Sequence, residues 1–99
     1  MMHPQNWIAA VAGNNASGAA SDTHTTLGPL PAGWYGITVL GSDYYVAAVE
    51  GATCAATTTS GLMGDNDWRY FKSAGTLYVS IECISGGSGT YSLIHYEAY

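Results

Sequence analysis

Basic charge is nearly missing from this chain: Arg69 and Lys72 are its two cations in 99 residues, against seven Asp and Glu, for a formal net charge of -5. Two cations cannot neutralise a run of phosphates, which excludes nucleic acid and anionic membrane surfaces as partners. Charged residues of either sign make up 9% of the chain, where roughly 25% is usual, so Thr, Ser, Gly, Ala and Tyr must form much of the surface. Such a surface offers little self-repulsion, and a homo-oligomer or symmetric array is expected rather than a free monomer. Long apolar runs are missing as well. The run Trp7 to Ala12 falls far short of the ~20 residues that a membrane span requires, and without Lys or Arg ahead of it the segment does not read as an export signal. Cysteine is limited to Cys54 and Cys83. They are either one bridge or two small buried apolar side chains, and without an export signal the expected compartment is reducing.

The patterns of catalysis are also wanting. There is no G-x-S-x-G elbow and no phosphate-cradling glycine loop, so no enzyme and no cofactor is expected. Asp65-Asn66-Asp67 invites a calcium reading, but an EF-hand starting there would have Tyr70 where the turn needs glycine and Thr76 where it needs a bidentate Glu. A turn ahead of a strand accounts for Asp and Asn equally well. His3, His24 and His95 lack the short spacings of a zinc site, and strand alternation places His95 on the side of Tyr91, Leu93 and Glu97.

What remains is a β pattern. Residues 34–40, 44–50, 67–72, 76–83 and 90–96 are rich in β-branched and aromatic residues and separated by Gly, Ser and Asp. In Thr76 to Cys83 the alternation is strict, with Leu77, Val79, Ile81 and Cys83 on a buried face and Thr76, Tyr78, Ser80 and Glu82 on an open one. Ser85 to Gly89 reads as a five-residue hairpin loop. The expected fold is all-β: a small antiparallel sandwich of jelly-roll or Ig-like form, over residues 34–99, with an N-terminal extended arm and linker over residues 1–33. In the arm, Pro4 and Gly13 suit the ends of a short helix, with Trp7, Ile8 and Val11 on one face. The segment is thus a short helix or an apolar anchor. Asn14 to Ser21 has the composition of a flexible connector.

Eight Tyr and three Trp exceed the needs of so small a core. Tyr and Trp deliver large contact area at low entropic cost, in protein interfaces and sugar-binding faces alike, while Tyr is also favoured on half-exposed strands. Tyr44, Tyr70 and Tyr78, with Trp7, Ile8 and Val11 of the arm, are the candidate partner-binding residues.

Leu27-Gly28-Pro29-Leu30-Pro31-Ala32-Gly33-Trp34-Tyr35 resembles the L-P-A-G-x-Y approach to the first core strand in small β-sandwich structural proteins of tailed-bacteriophage virions. Thr57 to Met63 resembles their Thr/Ser-rich run before a short apolar turn, and Ser73 to Val79 and Gly87 to Leu93 resemble their last two strands. The resemblance covers roughly the last two thirds of the chain. It departs from the pattern in its aromatic strands, Tyr44-Tyr45 and Trp68 to Phe71. It implies a capsid decoration or cement protein that binds and stabilises the lattice of major capsid protein or another virion protein, assembled in the host cytoplasm and located in the virion. The alternatives are a tail or fibre component, and a carbohydrate-binding module using exposed Tyr and Trp.

Overall fold

The computed structural model describes the backbone of residues 7–10, 16–57 and 60–98, and the side chains of residues 16–57 and 60–96. Among these, nine strands form two antiparallel sheets: β1 (Trp7–Ala10), β2 (Ala16–Ser21), β3 (Thr25–Leu30), β4 (Gly33–Leu40), β5 (Tyr44–Glu50), β6 (Gly61–Met63), β7 (Trp68–Ser73), β8 (Leu77–Cys83) and β9 (Ser88–Ala98). The first sheet runs β1-β9-β4-β7, with β2 beside β1 along the same edge of β9, and the second runs β3-β8-β5-β6. The expected sandwich is therefore present. No helix among the described residues is long and apolar enough to cross a membrane.

The arm differs from expectation. Residues 7–10 are a strand on β9, not a helix, and residues 16–21 are a strand with six consecutive pairs to Ser88–Leu93, not a connector. Strands on both sides of the expected boundary at 33/34 pair into the same two sheets, and Ala20 and Leu30 belong to the core. The physical reason is that backbone pairing needs no particular side chain, so a run of Ala, Ser and Gly can hold an edge that β9 supplies.

The turns differ too. From β2 onward the chain changes sheet at nearly every connection: β3 in the second sheet, β4 in the first, β5 and β6 in the second, β7 in the first, β8 in the second and β9 in the first. Residues 84–87 consequently join no hairpin. They carry the chain from one sheet to the other, as do residues 41–43 and 74–76. Carboxylates hold these crossings. Asp65 Oδ1 accepts from Gly41 N–H at 2.8 Å, Asp43 Oδ1 from Asp65 N–H at 3.1 Å and Asp22 Oδ2 from Gly86 N–H at 3.1 Å. At the opposite end Glu50 Oε2 accepts from Ala74 N–H at 2.8 Å. Acidic residues thus satisfy loop N–H groups that strand pairing leaves open.

Between the sheets, Leu77, Val79, Ile81 and Cys83 face inwards as expected, against Tyr35, Ile37, Val39, Tyr44, Met63 and Leu93. Two tyrosines fasten the connections into β4 and β5. Tyr35 donates to Pro31 O at 2.7 Å and Tyr44 to Leu40 O at 2.9 Å, each phenol reaching back four residues while its ring is fully buried. The other face of β8 is not open throughout. Residues 52–57 fold over it, so that Ser80 is buried: its Oγ accepts from Ala56 N–H at 2.9 Å and from Thr26 Oγ1 at 3.3 Å. Cys54 lies in this cover with its thiol near Ala47 O and Tyr78 O, whereas Cys83 faces the core, and both thiols are free. Burial pushes the Cys54 thiol above its ordinary range.

Candidate functional site

The interior offers little to a ligand. The space in which a jelly roll can enclose a small molecule is filled by side chains at 0–1% exposure, from Tyr35 and Ile37 to Met63 and Leu93. His95 shares the side of Leu93, as expected, and that side faces inwards; its ring stacks on Tyr35 at 4.5 Å and 10°. Among the described residues no group of three or more His, Cys, Asp or Glu is placed to hold a metal. Asp67 does other work: it accepts from Trp68 N–H and pairs with Arg69 at 2.8 Å, and these contacts hold its carboxyl below the usual range. The loop is a turn built on Asn66, which adopts a φ of 63° and donates to Val39 O at 2.8 Å.

Chemistry that faces solvent gathers on the outside of the first sheet. Directly opposed residues of an antiparallel pair share a face. With Tyr35, Ile37 and Val39 turned inwards, Trp34, Gly36, Thr38 and Leu40 of β4 point outwards. Their partners on β7 are Lys72, Tyr70 and Trp68, and on β9 Tyr96, Ile94, Ser92 and Thr90. Gly36 is the key to this face. A Cβ there would stand 3.0 Å from the Tyr96 ring and 3.3 Å from both the Trp68 and Tyr70 rings, so three aromatic side chains lie down over the one strand position with nothing to hold them off. Trp68 and Tyr70 are stacked, 6.2 Å apart at 17°. Lys72 Nζ sits 5.4 Å over the Trp34 ring, within cation–π reach. Burial, with Tyr70 adding, raises the Tyr96 phenol above its ordinary range. The Thr38 hydroxyl, in register between Trp68 and Ser92, is shut off from solvent and has no hydrogen-bond partner among the described residues.

Trp68 at 41%, Tyr70 at 45% and Leu40 at 46% remain open to solvent. Lys72 is the one charge among the outward-facing described residues of β4, β7 and β9. Of the expected partner-binding residues, Tyr70 lies at the centre of this face. Tyr44 is a correction: it is fully buried, because its phenol ties β5 to the first sheet. Tyr78 is half-buried on the outer side of the second sheet. Trp7 and Ile8 lie in β1, their side chains outside the described residues, and Val11 lies outside them altogether. Trp34, Trp68 and Tyr96 belong to the site without having been singled out. The signal for Trp68 was available in the alternation Trp68, Tyr70, Lys72, and Gly36 inside an otherwise bulky strand marked a close approach.

In fold, this chain is similar to cupin domains. The Cupin_2 domain of an XRE family transcriptional regulator from Enterobacter cloacae matches with a TM-score of 0.54 and 15% identity, over 85% of this chain and 83% of that one. The cupin domain of Cnp3 from Schizosaccharomyces pombe matches with a TM-score of 0.50 and 11% identity, over 94% of this chain and 62% of that one. The coat protein of Tobacco streak virus aligns with a TM-score of 0.42 and 11% identity. No family model and no curated protein matches the sequence. At these identities the likeness defines the architecture, a jelly-roll sandwich, and the fold hosts many functions.

Proposed function

We propose that this chain is a non-enzymatic structural protein of a virion that docks on a protein lattice, as a capsid decoration or cement protein does, through the outer face of its first sheet. One observation carries the reading: in a chain with seven carboxylates and two cations, the rings of Trp34, Trp68, Tyr70 and Tyr96 share a face on which no outward-facing described residue of β4, β7 or β9 is acidic. Interface centres are enriched in Tyr and Trp and depleted of Asp, Glu and Lys. The virion setting comes from the resemblance in residues 27–35, 57–63, 73–79 and 87–93. Binding of the double variant Trp68→Ala, Tyr70→Ala to particles stripped of the protein tests this. Buried aromatic anchors are typically worth ~2 kcal/mol or more each, so the variant should lose at least about a hundredfold in affinity while retaining its fold. Wild-type occupancy by the variant would overturn the reading. A second reading, a glycan-binding module, is favoured by the stacked and exposed Trp68 and Tyr70 rings, which offer flat apolar surface to a sugar. It predicts binding to soluble polysaccharide in the absence of any particle.

A further inference from the structure

Residues 52–57 belong to neither sheet. They leave the end of β5 and run across the outer face of the second sheet, over a stripe in which Ala47 of β5, Ser80 of β8 and Thr26 of β3 stand in register. Side chains alternate along the segment. Ala56, at 1% exposure, and the half-buried Cys54 turn to the sheet, while Thr53, Ala55 and Thr57 are exposed. With no side chain larger than Thr or Cys, the segment lies close to the sheet and buries little apolar surface.

What holds the segment down is polar. Ala56 N–H donates to Ser80 Oγ at 2.9 Å, and the Thr26 hydroxyl donates to Cys54 O at 2.8 Å. The Cys54 thiol stands 3.8 Å from Ala47 O and 3.6 Å from Tyr78 O, which are weak contacts. Water can take over each of these bonds once the segment lifts, so exchanging them costs far less than stripping a strand from a sheet. The two ends are fixed separately. Gly51 N–H donates to Thr76 O at 2.9 Å; at the other end Ser60 N–H donates to Thr57 O at 2.9 Å and Thr57 N–H to Ser60 Oγ at 3.0 Å. Gly51 has a φ of 84° and open space where a Cβ would stand, which leaves the chain room to pivot there.

We infer that residues 52–57 are a strap that opens as a unit between its two fixed ends while both sheets stay paired. The registers of the second sheet include no strap residue, so opening breaks no ladder. It bares the buried Ser80 hydroxyl and the Thr26 hydroxyl 3.3 Å from it. It also joins two parts of the outer face that the strap divides, Tyr45 and Leu62 on one side and Val49 and Tyr78 on the other. The strap thus sets how much of the second sheet's outer face is presented, and it does so independently of the aromatic face of the first sheet.

The chain carries its own reporters: Cys54 for the strap, and Cys83, at 0% exposure between the sheets, for global unfolding. In the full chain both thiols are labelled with an aromatic disulfide reagent, across a urea series below the unfolding transition, and resolved by peptide mass. Cys54 should react roughly tenfold or more faster than Cys83, yet more slowly than in the urea-unfolded chain. Its rate should depend little on urea, because local opening exposes little surface. Ser80→Ala and Thr26→Val each remove one tie and should speed Cys54 by roughly tenfold. Gly33→Ala sets a Cβ against the His95 ring of the first sheet; it weakens closed and open forms alike and should speed Cys83 alone. A Cys54 rate equal to that of the unfolded chain, a urea dependence shared by both thiols, no acceleration by either tie variant, or acceleration of Cys54 by Gly33→Ala would each overturn the inference.

Discussion

Removing a single oxygen atom, in Tyr44→Phe, should reveal how strongly the two sheets are tied. Tyr44 leaves β5 in the second sheet with its ring at 0% exposure, and its phenol lies 2.9 Å from Leu40 O on β4 and 3.3 Å from Thr90 O on β9, both strands of the first sheet. The variant keeps the ring and the packing but removes the one proton that Leu40 O and Thr90 O share. Loss of one partner from a buried hydrogen bond costs roughly 1–3 kcal/mol, and at about 4–8 °C per kcal/mol for a domain of this size the melting point should fall by on the order of 10 °C. A pH series sharpens the test. Burial, with Cys83 and Asp65 adding, pushes the Tyr44 phenol above its ordinary value, and burial does the same for Tyr35. The folded chain therefore holds protons that the unfolded chain releases. Stability is intact below the unfolded phenol pKa of about 10 and falls as pH rises beyond it, by at most ~1.36 kcal/mol per pH unit for each such group. Tyr44→Phe lacks one of those protons, so its deficit should narrow above about pH 10. Urea unfolding followed by circular dichroism from pH 7 to 11 measures both effects, with the half-exposed Tyr45→Phe as control. A deficit under ~0.5 kcal/mol at pH 7, or one that stays constant into alkali, would refute the tie between the sheets.

Two further substitutions probe the core. Gly33→Ala adds a Cβ that runs into the His95 ring at a φ of 144°, a conformation that side chains avoid, so the variant should lose ~1–3 kcal/mol from the backbone alone. A melting point within a degree or two of wild type would show that His95 and its stacked Tyr35 can move aside. Val79→Asp places a charge at a position of 0% exposure between the sheets and should yield no cooperative melting transition; a folded variant would put β8 out of register.

What could be read from the sequence follows physical lines. Alternation in Thr76 to Cys83 fixed which side of β8 is buried, since apolar and polar residues there separate cleanly by parity. Tyr44 to Glu50 has apolar residues at both parities, and nothing local tells Tyr44, a buried tie, from Tyr45. Ser80 had the right parity for solvent, but the cover from residues 52–57 is a long-range contact that no local pattern reveals. The hairpins failed for a related reason. Gly-rich turns report that the chain reverses, and not whether it returns into the same sheet or crosses to the other. The aromatic face lay beyond reach in the same way, because Trp34, Tyr70 and Tyr96 become neighbours only once β4 has β7 on one side and β9 on the other.

Residues 16–21 show most clearly how composition can mislead, and they set the last test. Ala16-Ser17-Gly18-Ala19-Ala20-Ser21 has the makeup of a linker, yet small residues are what this edge of β9 admits: a Cβ on Gly18 would stand 3.3 Å from the Tyr91 phenol oxygen, and Ala20 is 7% exposed within the core. Truncation should therefore have a threshold inside the arm. Removing residues 1–15 deletes β1, which holds β9 in a shifted register, and leaves β2 in place; its melting point should change little. Removing residues 1–21 strips six pairs from Ser88–Leu93 and uncovers Leu93 and Tyr91, which β2 adjoins. Against a total stability of ~5–15 kcal/mol, loss of a whole edge strand with its share of the core should leave the chain unfolded or nearly so at 37 °C. Melting of the two truncated chains by circular dichroism decides it. If both melt like the full chain, β2 contributes no stability, and residues 16–21 are the connector that their composition suggested.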